Sequence, residues 1–236
     1  MLGREKVLDI VRKALEHSDA DQTQAAVQIG ESSLTRFANS AIHQNVSERN
    51  GGLAVKAICG KRIGYAMTNK LDDDSIRAVT ERAVRFARNS GENPDFVSLP
   101  EPKPIKAIDS FDERTASYSP EDRASAVGAL LEEAKKRDAS AAGSLANEYA
   151  EIAIANSLGI EAYRADSVAK MSTVMTAGDG FGYAFRVSRR IADFDPVAAG
   201  VPAKRRPAAL PIHQRLHPVI GVVDKRVAAP QRILDG

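Results

Sequence analysis

The sequence contains very few of the residues that cross-link secreted proteins or build metal sites. Its 236 residues include one cysteine, Cys59, four histidines and no tryptophan. A single cysteine excludes an intrachain disulfide and indicates the reducing environment of the cytoplasm. It also excludes a zinc site made of four cysteines, or of two cysteines and two histidines.

Long apolar runs are also missing. Hydrophobic residues make up 43% of the chain, but no run approaches the ~18 apolar residues of a membrane-spanning helix. The opening MLGREKVLDI lacks the apolar centre of a signal peptide. With 27% charged residues, the composition is that of a soluble globular protein with one or two cores. We therefore expect a cytoplasmic protein without membrane contact.

Positive and negative charges nearly balance, at a net charge of +2, but they are unevenly distributed. Residues 197–236 contain seven basic residues (Lys or Arg) and two acidic ones (Asp or Glu). Residues 1–196 contain 26 basic and 29 acidic residues. The basic excess therefore belongs to the end of the chain. Because the body has no basic surplus, a nucleic-acid ligand is not expected there.

The first third of the chain has the pattern of antiparallel strands between two helices. Apolar residues recur at helical spacing over 4–17 and again over 72–89. Between the helices they alternate with polar residues in five short runs, at 25–29, 34–38, 42–48, 53–59 and 63–67. Turns at Asn39-Ser40, Asn50-Gly51-Gly52 and Gly60-Lys61 separate the later runs, and such short connections favour antiparallel pairing.

The middle of the chain is rich in proline and then returns to regular patterns. For residues 94–120 we expect an extended connection rather than a packed element. Ser119-Pro120-Glu121-Asp122 has the composition of a helix start, with Ser119 as the N-cap. Alternation around 150–154, over 160–176 and over 181–187 predicts long hairpins. The predicted fold class is α+β: an antiparallel strand meander and long hairpins with about three helices, plus a Pro/Arg-rich tail.

Residues 197–236 form that tail. Five prolines interrupt every short apolar run, and neither a helical nor a strand period persists. We expect this segment to be disordered or foreign to the fold.

One spacing in the tail is typical of a metal site. His213 and His217 lie four residues apart, as the zinc ligands of a zincin helix do. The neighbour of His213 is Gln214, however, which cannot act as a general base, and no acidic third ligand is near. We therefore interpret the pair as chance spacing. The other histidines, His17 and His43, are expected to be surface or packing residues.

The remaining candidate motifs also have simpler structural explanations. The loop 178–182 (GDGFG) is similar to a phosphate loop but lies between two strand patterns, so a hairpin is favoured. Asp72, Asp73 and Asp74 are expected to cap a helix rather than bind a cation. Cys59 alternates with apolar residues and is expected to be a buried structural thiol. We assign no catalytic, cofactor-binding or metal-ligating residue.

Several short motifs of the strand meander follow one another in a family-specific order. They are SLTRFANSAIHQNV at 33–46, GLAV at 52–55, GKRIG at 60–64 and TNKLDD at 68–73. Together with the order of helices, connection and hairpins, they resemble the amino-terminal domain of the TldD/PmbA (TldE) metallopeptidase family. Asp193-Phe194-Asp195-Pro196 is similar to the end of that domain. The resemblance covers residues 1–196.

The resemblance implies a cytosolic bacterial or archaeal zinc-dependent peptidase system that trims unstructured peptides. The family pairs a catalytic TldD-type chain with a PmbA-type (TldE) chain that lacks the metal ligands, and homodimers are also expected. The catalytic motif, H-E-x-x-x-H with a later cysteine, belongs to a carboxy-terminal domain. Its two histidines bind zinc, and its glutamate takes a proton from the metal-bound water.

This sequence contains no H-E-x-x-x-H, so no active-site residue of the family can be assigned to it. We expect the chain alone to hold no zinc and to be inactive, as the truncated amino-terminal portion of such a peptidase. A change of reading frame near residue 197 would explain the shift in composition. Two alternatives are a non-catalytic PmbA-type binding subunit and, less favoured, a nucleic-acid-associated modulator of DNA gyrase.

Overall fold

A single antiparallel sheet with helices packed on one face makes up most of the described structure. The computed structural model covers residues 1–106, 108–193, 195, 197–198 and 206–207. Its elements are, in chain order, α1 (Arg4–Glu16), β1 (Gln22–Ala38), β2 (Ala41–Cys59), β3 (Arg62–Thr68), α2 (Asp73–Asn89), α3 (Glu113–Ala116), α4 (Pro120–Lys136), β4 (Ser140–Asn156), β5 (Glu161–Ala177), β6 (Gly180–Ser188), a 3-10 turn (Ile191–Asp193) and β7 (Arg206–Pro207). The sheet order is β3-β2-β1-β4-β5-β6-β7. The predicted α+β class is confirmed, and α3 is a short helix in addition to the three expected.

The first two strands are longer than the sequence pattern predicts. The expected breaks between 29 and 34 and at Asn50-Gly51-Gly52 are wrong, because β1 and β2 pair through both stretches, with Gly51 opposite Ile29. Pairing on both sides of β1 holds these residues extended despite their turn-like composition. Gly30 also has a packing role, since a Cβ there would meet the carbonyl oxygen of Tyr149 on β4. Glycine here permits close approach of two strands.

Two separate cores lie between the sheet and the helices. In the first, α1 and α2 cover the part of the sheet that contains Val27 and Leu53. In the second, α4 covers the part that contains Phe37 and Leu145. The inward positions alternate along each strand, as expected for a sheet with one buried face. The same alternation turns aromatic residues of β3 and β6 to the open face, where Tyr65, Tyr183 and Phe185 are exposed.

The proline-rich connection is packed more tightly than expected. Leu99 is buried, and its backbone N–H donates to Gln22 Oε1 at 2.8 Å. Further along, the carbonyl of Ser110 accepts from the backbone N–H of Ser167 on β5 at 3.0 Å. The prediction of an unpacked connection is therefore wrong for these residues. Side chains and the free edge of β5 satisfy backbone groups that a proline-rich segment cannot pair internally.

The helices of the described part of the chain include none that is long and apolar enough to cross a membrane.

Of the predicted tail, the structure describes only Val197, Ala198 and strand β7, which pairs with the start of β6. The predictions made for the rest of residues 197–236, including the pair His213 and His217, lie outside the described residues. Phe194 and Pro196 of the Asp193-Phe194-Asp195-Pro196 motif also lie outside them.

Candidate functional site

A polar cleft of about 500 Å³ opens between the two cores on the helix-covered face of the sheet. Its floor comes from β1, β2 and β4, and its wall comes from α3, the start of α4 and the residues before each. We use the name "polar cleft" for the space lined by Met1, Glu31, Ser33, Ser47, Arg49, Phe111, Glu113, Tyr118, Ser119, Arg123, Asn147 and Tyr149 with their neighbours. The volume falls within the range of small-molecule sites.

The floor is polar because the inward positions of β1 change character between the two cores. The apolar residues Ile29 and Phe37 bracket Glu31, Ser33 and Thr35, which all face the helices. The register places polar partners beside each of the three. Glu31 lies beside Arg49 and Tyr149, Ser33 lies beside Ser47 and Asn147, and Thr35 lies beside Asn45. The sheet therefore presents a row of hydrogen-bonding groups where a continuous core would otherwise lie.

Arg123 of α4 reaches down into this row and is 1% exposed. Its Nη1 donates to Asn147 Oδ1 at 2.7 Å and to the carbonyl oxygen of Tyr118 at 2.9 Å. Its Nε donates to Thr35 Oγ1 at 3.2 Å, and its Nη2 donates to Asn45 Oδ1 at 3.1 Å. All four acceptors are neutral.

No carboxylate of the described residues forms an ion pair with Arg123. Burial lowers the pKa of Arg123 below its ordinary value, although a guanidinium stays charged at any physiological pH. Buried charges in proteins are usually paired. The cleft therefore contains a buried positive charge without a directly bonded counter-ion.

Elsewhere in the lining of the cleft, in contrast, an acidic and a basic side chain form an ion pair. Glu31 accepts from Arg49 Nη2 at 2.9 Å and from Ser47 Oγ at 2.8 Å. The hydrogen bonds from Arg49 and then Ser47 lower the pKa of Glu31. Burial, and then the charge of Glu31, raise the pKa of the neighbouring Tyr149. At neutral pH Glu31 is thus ionised and Tyr149 is a neutral donor.

This arrangement favours binding over acid–base or nucleophilic catalysis. Ser33 and Ser47 lie 2.9 Å apart and bond to each other. None of the residues that line the cleft is a histidine or a cysteine, so neither serine has a neighbouring imidazole as a general base. What converges instead is a set of neutral acceptors around one buried cation.

A second concavity, of about 520 Å³, lies on the open face of the sheet. Its carboxylates are largely paired within the described structure: Glu148 accepts twice from Lys170 Nζ at 2.8 Å, and Asp166 pairs with Arg164 at 2.6 Å. This trough lacks a buried unpaired charge. We therefore regard the polar cleft as the better candidate site.

Two family models match successive parts of the chain. Residues 24–87 match domain 1 of the PmbA/TldA metallopeptidases, and residues 113–209 match their central domain. The chain belongs to the TldD/PmbA family. The resemblance that the strand motifs carry is thereby confirmed, and the central-domain match extends beyond residue 196.

Solved structures of similar fold include three from different organisms. TldE from Thermococcus kodakarensis is 19% identical with a TM-score of 0.69, and the match covers 81% of this chain and 44% of that one. A Thermotoga maritima protein named as a modulator of a DNA gyrase is 15% identical with a TM-score of 0.67. That match covers 76% of this chain and 42% of the Thermotoga maritima chain. A Bacteroides thetaiotaomicron protein with a similar name is 17% identical with a TM-score of 0.68, over 84% and 49%.

These matches span less than half of each solved chain. No curated protein sequence matches the chain. The likeness to solved structures therefore supports the TldD/PmbA fold, and the family models support the membership.

The zinc that the TldD/PmbA family implies does not fit the described residues. They contain no group of three His, Cys, Asp or Glu side chains that could hold a metal ion. His17 is the C-cap of α1, and His43 lies on β2.

The other motifs singled out in the sequence take structural roles. Asp72 caps α2 by accepting from the backbone N–H of Ser75, as expected. Gly178 lies in the turn between β5 and β6, which confirms the hairpin. Cys59 is only half-buried against the first core, because it ends β2 beside the β2–β3 turn. The expectation of a buried thiol is therefore wrong in degree.

The sequence patterns did not single out the residues of the polar cleft, although a signal was present. Arg123 falls at helical spacing with Val127, Leu130 and Ala134, which places a charge on the apolar face of α4. Glu31 and Ser33 likewise occupy inward positions of β1. Polar residues at core positions on two elements that pack together would have indicated the cleft.

Proposed function

We propose that this chain is part of a TldD/PmbA-type zinc-dependent peptidase that degrades unstructured peptides in the cytoplasm. The observation that carries the proposal is the match of two successive metallopeptidase family models in their expected order. Zinc and its H-E-x-x-x-H ligands lie outside these 236 residues in this proposal. The chain contributes scaffold and binding surface rather than reacting groups.

Catalysis then depends on association with a family chain that carries the metal. A TldD-type partner would supply that metal, whereas a homodimer of this chain would be a binding assembly without the zinc ligands. A non-catalytic role of the PmbA/TldE type is compatible with the fold likeness to the Thermococcus kodakarensis TldE structure. The polar cleft supports such a role, because it offers binding groups without a nucleophile and base.

The test combines the full chain with a TldD-type chain and a disordered peptide that carries a fluorophore and a quencher. We expect the two chains to co-purify and the mixture to cleave the peptide, whereas this chain alone does not. A zinc chelator should stop cleavage, and so should replacing the glutamate of the partner's H-E-x-x-x-H with glutamine. The proposal fails if this chain neither binds a family partner nor changes its cleavage rate.

A second candidate function is modulation of DNA gyrase, which the names of two structural neighbours suggest. Residues 1–196 carry slightly more acidic than basic side chains, which disfavours direct DNA binding by the body of the chain. DNA binding at ~50 and ~200 mM salt tests this candidate, because phosphate contacts weaken steeply with salt. Salt-sensitive binding of this chain to duplex DNA would favour it.

A further inference from the structure

We propose that the polar cleft binds a carboxylate, and that its ligand is the carboxy-terminal end of a short peptide. Binding of the carboxylate follows from the groups in the cleft. Its assignment to a peptide rests on the proposed function, which supplies peptides as substrates and products. The central group is Arg123, assisted by the hydroxyl of Tyr149, which lines the same cleft.

The first argument is that no carboxylate bonds to Arg123, although the charges of Glu121 and Glu31 act on it through space. The four bonds of Arg123 to neutral acceptors leave one hydrogen of Nη2 without an acceptor among the described residues. A guanidinium that is removed from water and bonded only to neutral oxygens attracts an anion, since the interaction is strengthened by the low dielectric. Arg123 lines the cleft, so an anion bound there lies close to the guanidinium, and direct contact requires a small movement of the side chains that cover it.

The second argument concerns the type of anion. Glu31 and Glu113 also line the cleft, and two carboxylates disfavour a dianion such as phosphate. A peptide end combines a single negative charge with backbone N–H donors one residue away. Its carboxylate suits Arg123, and its N–H groups suit the carboxylate of Glu31.

The third argument is size and wall chemistry. About 500 Å³ is enough for a dipeptide but not for a folded partner. Met1, Phe111 and Pro120 add apolar surface to the lining, where a side chain of the ligand can pack. A short peptide end therefore matches the cleft in charge, hydrogen bonding and volume.

The binding test uses the full chain and two matched probes, N-acetyl-alanyl-alanine and its carboxamide. Calorimetric titration should detect binding of the acid, and the amide should bind at least ~10-fold more weakly, a difference of ~1.4 kcal/mol. Inorganic phosphate is the third probe and should bind more weakly than the acid. Equal binding of acid and amide overturns the proposal, as does tighter binding of phosphate or no binding of the acid.

A single substitution can supply the missing counter-ion without disturbing the fold. Asn45 Oδ1 accepts from both Arg123 Nη2 and Thr35 Oγ1, and aspartate keeps that oxygen in place. In N45D the carboxylate at this position should neutralise Arg123 and weaken binding of the acid at least ~10-fold. Asn45 is exposed, so the new charge does not require burial.

The matched control is N50D. Asn50 lies on the same strand but lines the concavity on the open face. The N50D substitution therefore adds the same negative charge on the other side of the sheet. We expect N50D to bind the acid within ~2-fold of the unmodified chain. Equal weakening in both variants, or none in N45D, overturns the role of Arg123.

The outcome is separable from that of the proposed function. The titrations use this chain without a partner, and the peptidase assay uses the pair. If the chain binds the carboxylate but has no effect on a peptidase, the carboxylate site stands and its assignment to a peptide is wrong. If the chain stimulates a peptidase but does not bind the carboxylate, the proposed site is wrong and the proposed function stands.

Discussion

The buried carboxylate of Glu151 closes the amino-terminal end of α1 by accepting the backbone N–H of Gly3. The distance from that nitrogen to Oε1 is 2.8 Å, and Oε2 accepts from the N–H of Leu2 at 2.7 Å. No side chain at the N-cap of α1 performs this role. A residue in the middle of β4 thus caps a helix that begins almost 150 residues earlier, which joins the start of the chain to the sheet.

We predict that E151Q lowers the free energy of unfolding by about 1–3 kcal/mol, because a neutral amide accepts less strongly and one of its ends donates. Loss of the charge near the positive end of the helix dipole adds to the effect. Urea denaturation monitored by circular dichroism measures it. The control is E148Q on the same strand, whose half-buried ion pair with Lys170 on the open face is worth about 1 kcal/mol or less. Equal losses in the two variants would contradict the capping role.

The phenol of Tyr163 should ionise later than the other tyrosines. Burial, followed by its hydrogen bond to Glu151 at 2.8 Å, raises the pKa of Tyr163 to about 12. In a spectrophotometric titration of the five tyrosines, we expect Y163F to remove the latest transition. E151Q should move that transition to lower pH, since it removes the neighbouring negative charge.

The raised pKa of Tyr163 also has a consequence for stability. The unfolded value is ~10, so the folded state retains the proton to higher pH than the unfolded state. The stabilisation by the neutral phenol is therefore complete below pH ~10 and is lost as the pH rises towards 12. The stability difference between the unmodified chain and Y163F should shrink between pH ~10 and ~12. A constant difference would mean that the phenol has no raised pKa.

Local signals in the sequence predicted several features of this fold. Ser119 and Asp72 cap their helices as expected, because a capping side chain bonds to a backbone group three residues away. The turns at Gly60 and Gly178 have positive φ as glycine allows. In each case the cause and the effect lie within a few residues of each other.

Features that depend on distant partners were not predicted. Asn50-Gly51-Gly52 has the composition of a turn, but pairing on both sides of β1 extends the sheet through it. The role of Glu151 could not be read from its neighbours in the sequence, because the backbone groups that it accepts from are those of Leu2 and Gly3. The polar cleft needs five elements at once. Such features follow from register and packing, which a local pattern does not contain.

Gly64 determines how closely α2 approaches the sheet. A Cβ at this position on β3 would meet the carbonyl oxygen of Ala83 and the backbone nitrogen of Ala87. We predict that G64A lowers the free energy of unfolding by about 1–3 kcal/mol, because the helix must move away from the strand. Denaturant unfolding measures the loss.

The control for G64A is G128A. A Cβ at Gly128 in α4 would have no atom within 4 Å. Alanine there should raise the free energy of unfolding by about 0.5–1 kcal/mol, because it restricts the unfolded chain and favours a helix. The same substitution should thus act with opposite sign at the two glycines. A gain in stability for G64A would show that α2 does not pack on β3 as described.

The last prediction concerns the contribution of Arg123 to stability, apart from any ligand. R123M keeps a long side chain but removes all four hydrogen bonds of the guanidinium. Two opposing effects follow, since the buried charge no longer has to leave water while buried acceptors lose their partner. We expect the second effect to exceed the first, with a loss of about 1–3 kcal/mol. R137M is the matched control, because Arg137 is exposed at the other end of α4 and its side chain bonds Glu133. There we expect a change within ~0.5 kcal/mol. If R123M is instead as stable as the unmodified chain, the four hydrogen bonds do not account for retaining a buried cation. In that case, binding of the proposed anion, rather than stability of the fold, would explain why a buried arginine is present at this position.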